Sequence, residues 1–466
     1  MKDIHFFLTA SLLLAGLAVS HTLQAQTVRG CIADTALNKK MYLCYNPERG
    51  GSRYDGDEKR IKTDNKGNFS VSVNNLGKID FCPAYLVLAD GSEWDFFLQK
   101  GQAISISTKR DAKDQLSLDY QGTNADASRC LRDYEKAYAF TDFFAYPGKQ
   151  KPNIAPEKRE STLEKRYQTL TNAITKIKDN SLRAFMTQIN EDRHNNYLCR
   201  LLSKNNSRRN SAEKALEQEG PNNWIGLYNN VPQNFIREHM DTTVHAQWGG
   251  DQTAYGLEYL RVMKKYVTDP DVKHRLLIDC AMETIDYGKD FKNIDDFWKP
   301  FSEYAADDSV VIAAYGKKVA AMKQTRPGMG AKDFSFEDAQ GQQHRLSDLR
   351  GKVVYIDVWA TWCGPCKREI PYLAKRVEEY EGNDKVVFIS ISVDENREAW
   401  LKMIGNDKPQ WAQYHVNEDQ NEALSDAYGI NAIPRFMVIK ADGTIGDSDA
   451  FRPSDDDFHK KLDEYM

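Results

Sequence analysis

Little in this chain of 466 residues invites a metal, a nucleic acid or a bilayer. Its eight cysteines include only one C-x-x-C pair, whereas a structural zinc centre usually draws four ligands from two such pairs. Its nine histidines include no H-E-x-x-H; His239 and His245, in REHMDTTVHAQW, stand six residues apart and share no helix face, so no metal is expected. A net charge of -5 is small for this length and argues against a nucleic-acid partner or an anionic membrane surface. Beyond the first residues no apolar run reaches transmembrane length, and no internal repeat is evident. What remains, with 41% hydrophobic and 28% charged residues, is an ordinary globular composition in a chain long enough for two or three domains.

The N-terminus is the exception. MKDIHFFLTASLLLAGLAV carries one early lysine and an apolar run from Phe6 to Val19, with Ala18 and Ser20 in an A-x-S arrangement at its end and Ala25 as a later cleavage candidate. The run is short and lacks a basic stop-transfer flank, so residues 1–25 are read as a signal peptide, not an anchor. In VRGC, Arg29 stands two residues before Cys31 where a lipidation site wants small residues, so no lipid anchor is expected. The mature protein is therefore expected outside the cytoplasm, in the periplasm or cell envelope, soluble and in an oxidising compartment.

From residue 26 to 122 the texture is β. MYLCY, GNFSVSV, AYLVLAD, DFFLQ and AISIS are separated by the turn clusters RGGSRYDGDE, DNKGN, ADGS and QKGQ, which predicts an all-β, sandwich-like domain. From 123 to 325 apolar residues recur at three- and four-residue spacing, as in amphipathic helices. One helix should start at Asp269-Pro270, with aspartate as cap and proline in the first turn. TRPGMG then reads as a linker. From 326 to 466 the order is α/β: a hairpin from DFSFED and QQHRL, buried strands KVVYIDVWA and KVVFISISV, helices, a further hairpin from RFMVIK and GTIGDSDA, and a last helix that Ser454 is expected to cap.

The single C-x-x-C pair lies in WATWCGPCKREIP, between a buried strand and a helix. Cys363 opens that helix, where unpaired N–H groups and the helix dipole favour a thiolate. Cys366, three residues on, is close enough to resolve a mixed disulfide formed at Cys363, and Pro365 sits in the first turn, where no N–H partner is needed. This pattern suits a working redox pair with an exposed Cys363 and a buried Cys366.

Those residues resemble the thioredoxin superfamily. WCGPCK matches its active-site sequence, Pro371 falls where the family bends its active-site helix, and YGINAIPRFMVIKADGTI resembles its cis-proline segment. The resemblance implies a thioredoxin fold, a cis Ile433–Pro434 bond, and a substrate-holding rim formed by Trp362, Gly364, Pro365, Ile433 and Pro434. It also implies that Asp357 is the buried acid serving proton transfer at Cys366; Ser390 stands where thioredoxin has a lysine opposite that acid. DFSFEDAQGQQHRLSDLRGKVVYIDVWATWC and the insert before YGI are similar to the TlpA/ResA-type exported thioredoxins, and Glu369 matches the glutamate those proteins keep beside the site. Residues 27–120 resemble, more weakly, a β-domain of unknown function found ahead of such thioredoxin domains.

The implied function is an exported thiol–disulfide oxidoreductase without a cofactor, reducing protein disulfides and recharged by a membrane-bound electron donor that the sequence does not identify. An oxidase or isomerase, and a partner-binding module with the thioredoxin domain as scaffold, are the alternatives. Peroxidase chemistry is disfavoured: Ala360 and Ile356 occupy the positions where peroxiredoxins need threonine or serine and proline. The other six cysteines lie three in the β region and three in the helical region, and the expectation is that at least two stay unpaired and buried, with Cys363–Cys366 the single functional disulfide.

Overall fold

Alternation of apolar and polar residues builds the N-terminal sheets. In NFSVSV the buried Phe69 and Val73 and the half-buried Val71 fall on one face of the strand, the polar residues on the other. The computed structural model describes residues 26–49, 56–74, 76–110, 116–145, 151–246, 250–288, 291, 293–430 and 432–466. The signal peptide read at residues 1–25 lies outside them. Eight strands come first: β1 (Gln26–Cys31), β2 (Met41–Tyr45), β3 (Asp57–Ile61), β4 (Asn68–Val73), β5 (Phe81–Val87), β6 (Glu93–Gln99), β7 (Ala103–Arg110) and β8 (Leu116–Gly122). They form two four-stranded sheets, ordered β4-β1-β7-β8 and β3-β2-β5-β6. One core, containing Val28, Phe69 and Ile106 from the first sheet and Leu43, Leu86 and Phe96 from the second, lies between them. The turn predicted over RGGSRYDGDE gives way at its last two residues to β3, a charged strand at a sheet edge, where one face stays in water and charges are tolerated.

The chain divides into two compact units, residues 1–232 and 233–466, with the boundary inside the region read as helical. The first unit continues with α1 (Ala125–Ala137), α2 (Phe140–Phe143), α3 (Pro156–Ile174), α4 (Asn180–Leu201) and α5 (Ser207–Glu219), and α6 (Val231–Glu238) straddles the boundary. The second unit opens with α7 (Thr253–Tyr266), α8 (Pro270–Ala281), α9 (Asp295–Tyr304) and α10 (Ser309–Gln324). Asp269 caps α8 as expected, accepting from the Val272 N–H at 3.0 Å. Among the described residues no helix is long and apolar enough to cross a membrane, and no cluster of potential metal ligands occurs.

Beyond α10 come β9 (Ser335–Glu337), β10 (Gln343–Arg345), β11 (Val353–Trp359), α11 (Gly364–Glu379), β12 (Val386–Ser392), α12 (Arg397–Asp407), β13 (Ala412–His415), α13 (Glu418–Tyr428), β14 (Arg435–Ile439), β15 (Ile445–Asp447) and α14 (Phe458–Asp463). Their mixed sheet runs β10-β9-β13-β12-β11-β14-β15, with β11 parallel to β12 and antiparallel to β14. All seven residues of β11 are buried, as a central strand covered on both faces requires. Ser454 does not cap the last helix: α14 begins four residues later, with Asp457 at its N-cap, because Ser454 is committed to Glu369 instead.

The structure holds one disulfide, Cys363–Cys366. Cys31, Cys44, Cys82, Cys130 and Cys280 remain thiols, and all but Cys31 are buried, which matches the expected unpaired, buried cysteines. Burial raises the pKa of Cys82 to about 12 and that of Cys130 to about 11, so these thiols are poor nucleophiles.

Candidate active site

Strand β11 aims the site. Its period of two sends Val354, Ile356 and Val358 to one face of the sheet and Val353, Tyr355 and Asp357 to the other. That second face is covered by α11, whose Leu373 packs with Val353 and Tyr355. Asp357 is thus placed under the cysteine-bearing helix and is 5% exposed. Parallel pairing sets it beside Ser390 of β12, whose hydroxyl donates to the Asp357 carboxylate at 2.8 Å; Trp411 Nε1 donates to the same Ser390 oxygen at 2.8 Å. Burial pushes the Asp357 pKa up from 3.8 to about 7, with the Ser390 hydrogen bond opposing the rise and the negative charge of Glu369 adding to it.

After β11 the chain turns, with the Cys363 N–H donating to the Ala360 carbonyl at 3.1 Å. Cys363 is the N-cap of α11: its backbone is extended (φ −79°, ψ 101°) and its Sγ accepts from the Cys366 N–H at 3.1 Å. Pro365 lies in the first turn and Pro371 inside the helix. In this oxidised form Cys363 is 4% exposed and Cys366 2%, both packed against Trp359, Ala360 and Trp400. Cys363 is therefore not the open thiol that was expected. Bonded to Cys366, the residue is nearly as covered as its partner. The exposed group is Trp362, 68% accessible, beside the exposed Gly364 and Pro365. The Ile433–Pro434 bond is cis, and the Ile433 carbonyl oxygen lies 3.8 Å from Cys363 Sγ.

Glu369 is buried on α11, one turn beyond Cys366. It accepts from the Ser454 N–H at 3.1 Å and the Ser454 hydroxyl at 3.0 Å, with the Arg452 guanidinium at 3.6 Å. Under the helix, a cavity of about 20 Å³ is lined by Asp357, Trp359, Ser390, Trp411 and Gln413 among others. Trp359 Nε1 and Gln413 Nε2 are buried there without a protein partner.

Sequence reasoning missed Asp394. This buried carboxylate accepts from the Thr361 N–H at 2.9 Å, the Thr361 hydroxyl at 2.6 Å and the Ser392 hydroxyl at 2.7 Å. Its signal was present: an acid two residues past the buried strand β12, in ISVDEN, has to find donors or remain in water.

A family model described as Redoxin matches residues 326–458. The thiol-disulfide oxidoreductase ResA of Bacillus subtilis is 31% identical over 141 residues, covering 29% of this chain and 76% of the relative. ResA of Geobacillus thermodenitrificans is 32% identical over 121 residues, covering 25% of this chain and 66% of the relative. The chain belongs to the TlpA/ResA-like thioredoxins through its C-terminal domain. Among solved structures, a thiol-disulfide oxidoreductase from Bacteroides fragilis is 25% identical, with 29% of this chain and 99% of that chain covered at a TM-score of 0.27. As a member of this group, the chain carries a thioredoxin-like thiol–disulfide oxidoreductase domain behind its upstream sheets and helices.

Proposed function

We propose that this thioredoxin-like protein is an exported reductase of protein disulfides, working through Cys363 and Cys366, with residues 326–466 as its redox domain. The observation that carries the reading is the position of Cys363: its sulfur sits at the N-terminus of α11, receives the Cys366 N–H, and lies beside the carbonyl before cis-Pro434. Those N–H groups stabilise a thiolate in the reduced protein.

The steps follow from that placement. The Cys363 thiolate attacks one sulfur of a substrate disulfide, forming a mixed disulfide and releasing the other substrate sulfur as a thiolate, which takes a proton from solvent. Cys366 then loses its proton to Asp357, whose pKa near 7 suits it to accept and return protons at neutral pH. The Cys366 thiolate attacks Cys363 Sγ, the mixed disulfide breaks, and the second substrate sulfur leaves as a thiolate that takes up the proton held by Asp357 or one from solvent. Two electrons have passed to the substrate, and the protein is left with the Cys363–Cys366 disulfide. A thiol-class donor, read as a membrane protein, must return the electrons. Trp362, Gly364, Pro365, Ile433 and Pro434 form the rim that holds the substrate backbone during exchange, and Glu369 stands beside the resolving cysteine.

Cys366→Ser tests these roles. It should accumulate mixed disulfides with thiol-bearing substrates, visible as adducts on non-reducing gels, while Cys363→Ser should accumulate none. Equal trapping by both variants would count against the assignment.

A further inference from the structure

The turn that carries Cys363 into α11 has its own anchor. In Ala360–Thr361–Trp362–Cys363, closed by the Cys363 N–H to the Ala360 carbonyl, Thr361 is the first central residue. Both of its donors, N–H at 2.9 Å and Oγ1 at 2.6 Å, go to the Asp394 carboxylate. Asp394 is itself fixed from three sides. Its carboxylate takes the Ser392 hydroxyl at 2.7 Å, its N–H donates to that same oxygen at 3.1 Å, and its carbonyl accepts from His415 Nε2 at 2.7 Å. A carbonyl only accepts, so His415 Nε2 carries the proton of this bond. Val393 N–H, next in the chain, donates to the Trp359 carbonyl at 2.9 Å and ties the start of the same turn.

Resting on the functional reading above, we propose that Asp394 is a positioning residue for the nucleophile, acting through Thr361. A charged acceptor gripping two donors of one residue fixes both position and orientation. The turn then delivers Cys363 with the extended backbone that lets its sulfur meet the Cys366 N–H. Trp362, the other central residue, is left pointing into solvent. If the grip loosens, the sulfur leaves the helix N-terminus and its thiolate loses the donor that stabilises it.

The test is the pH dependence of Cys363 alkylation by iodoacetamide in the reduced full-length protein, read by mass spectrometry of the Cys363 peptide, alongside the rate of disulfide exchange. Thr361→Val keeps the shape and loses the hydroxyl. It should raise the alkylation midpoint and slow alkylation on the acid side of it about tenfold, the size of one lost hydrogen bond to a charged group. Thr361→Ser, which keeps the hydroxyl, should behave like the native protein. Asp394→Asn separates position from charge. Removing a nearby negative charge would by itself lower the thiol pKa, whereas a lost anchor raises it. A lowered midpoint in Asp394→Asn, or native titration in Thr361→Val, would overturn the proposal. The titration needs no turnover, so a native protein that titrates normally but exchanges no disulfides would count against the reductase reading and not against the anchor.

Discussion

Asp357 carries the clearest consequence at the scale of single residues. Its folded pKa, about 7, lies above the unfolded value of 3.8, so the native state keeps a proton that the unfolded chain releases. Stability from this group is complete below pH 3.8 and is lost as pH rises towards 7, by at most about 4 kcal/mol if the full shift is realised. Asp357→Asn removes that loss. The variant should melt higher than the native protein at pH 8, the difference should vanish near pH 4, and disulfide exchange should slow several-fold and lose its inflection near neutral pH. Parallel melting curves at every pH would show that Asp357 is not buried as an acid. The two cysteines, the acid and the cis-proline were legible in the sequence because each belongs to a short motif with fixed spacing. Asp394 and Trp411 were not, since their roles arise from contacts across the sheet, from 33 residues away at Thr361 and 21 at Ser390.

Among the elements, α11 is held at two places. Its N-terminus is tied by the active-site turn, and its buried face is tied to the segment before α14 through Glu369, Ser454 and Arg452. This explains why Ser454 failed as a helix cap: a hydroxyl facing a buried carboxylate gains more there than at an open helix end, since hydrogen bonds to charged groups are the stronger kind. Ser454→Ala keeps the backbone donor and loses the hydroxyl, so hydrogen exchange of the α11 amides should rise about tenfold, matching a loss of about 1.5 kcal/mol. Unchanged exchange would mean that Arg452 and the backbone suffice. Long periodic helices and apolar strands were readable from the chain alone. The short elements were harder: β13, with Gln413 and His415 among its four residues, looks polar in sequence and becomes a strand only because β12 and β9 lie on either side of it. β3 was hidden in the same way by its charges.

Taken as a whole molecule, the described residues hold one disulfide, while the thiols at Cys44, Cys82, Cys130 and Cys280 are buried and Cys31 is partly exposed. Burial makes those four thiols poor partners for exchange. The division into residues 1–232 and 233–466 was not visible in the sequence, because the helical texture runs unbroken across it and hydrophobic periodicity reports faces, not partners. The central claim, a reductase and not an oxidant, concerns the poise of a single pair. Equilibrating the full-length protein with glutathione or thioredoxin redox buffers, then alkylating and weighing the Cys363–Cys366 peptide, gives its reduction potential directly. A value near the roughly −270 mV of thioredoxin, whose Gly-Pro dipeptide this site shares, is predicted; a value near about −120 mV, that of a strong disulfide donor, would contradict the account.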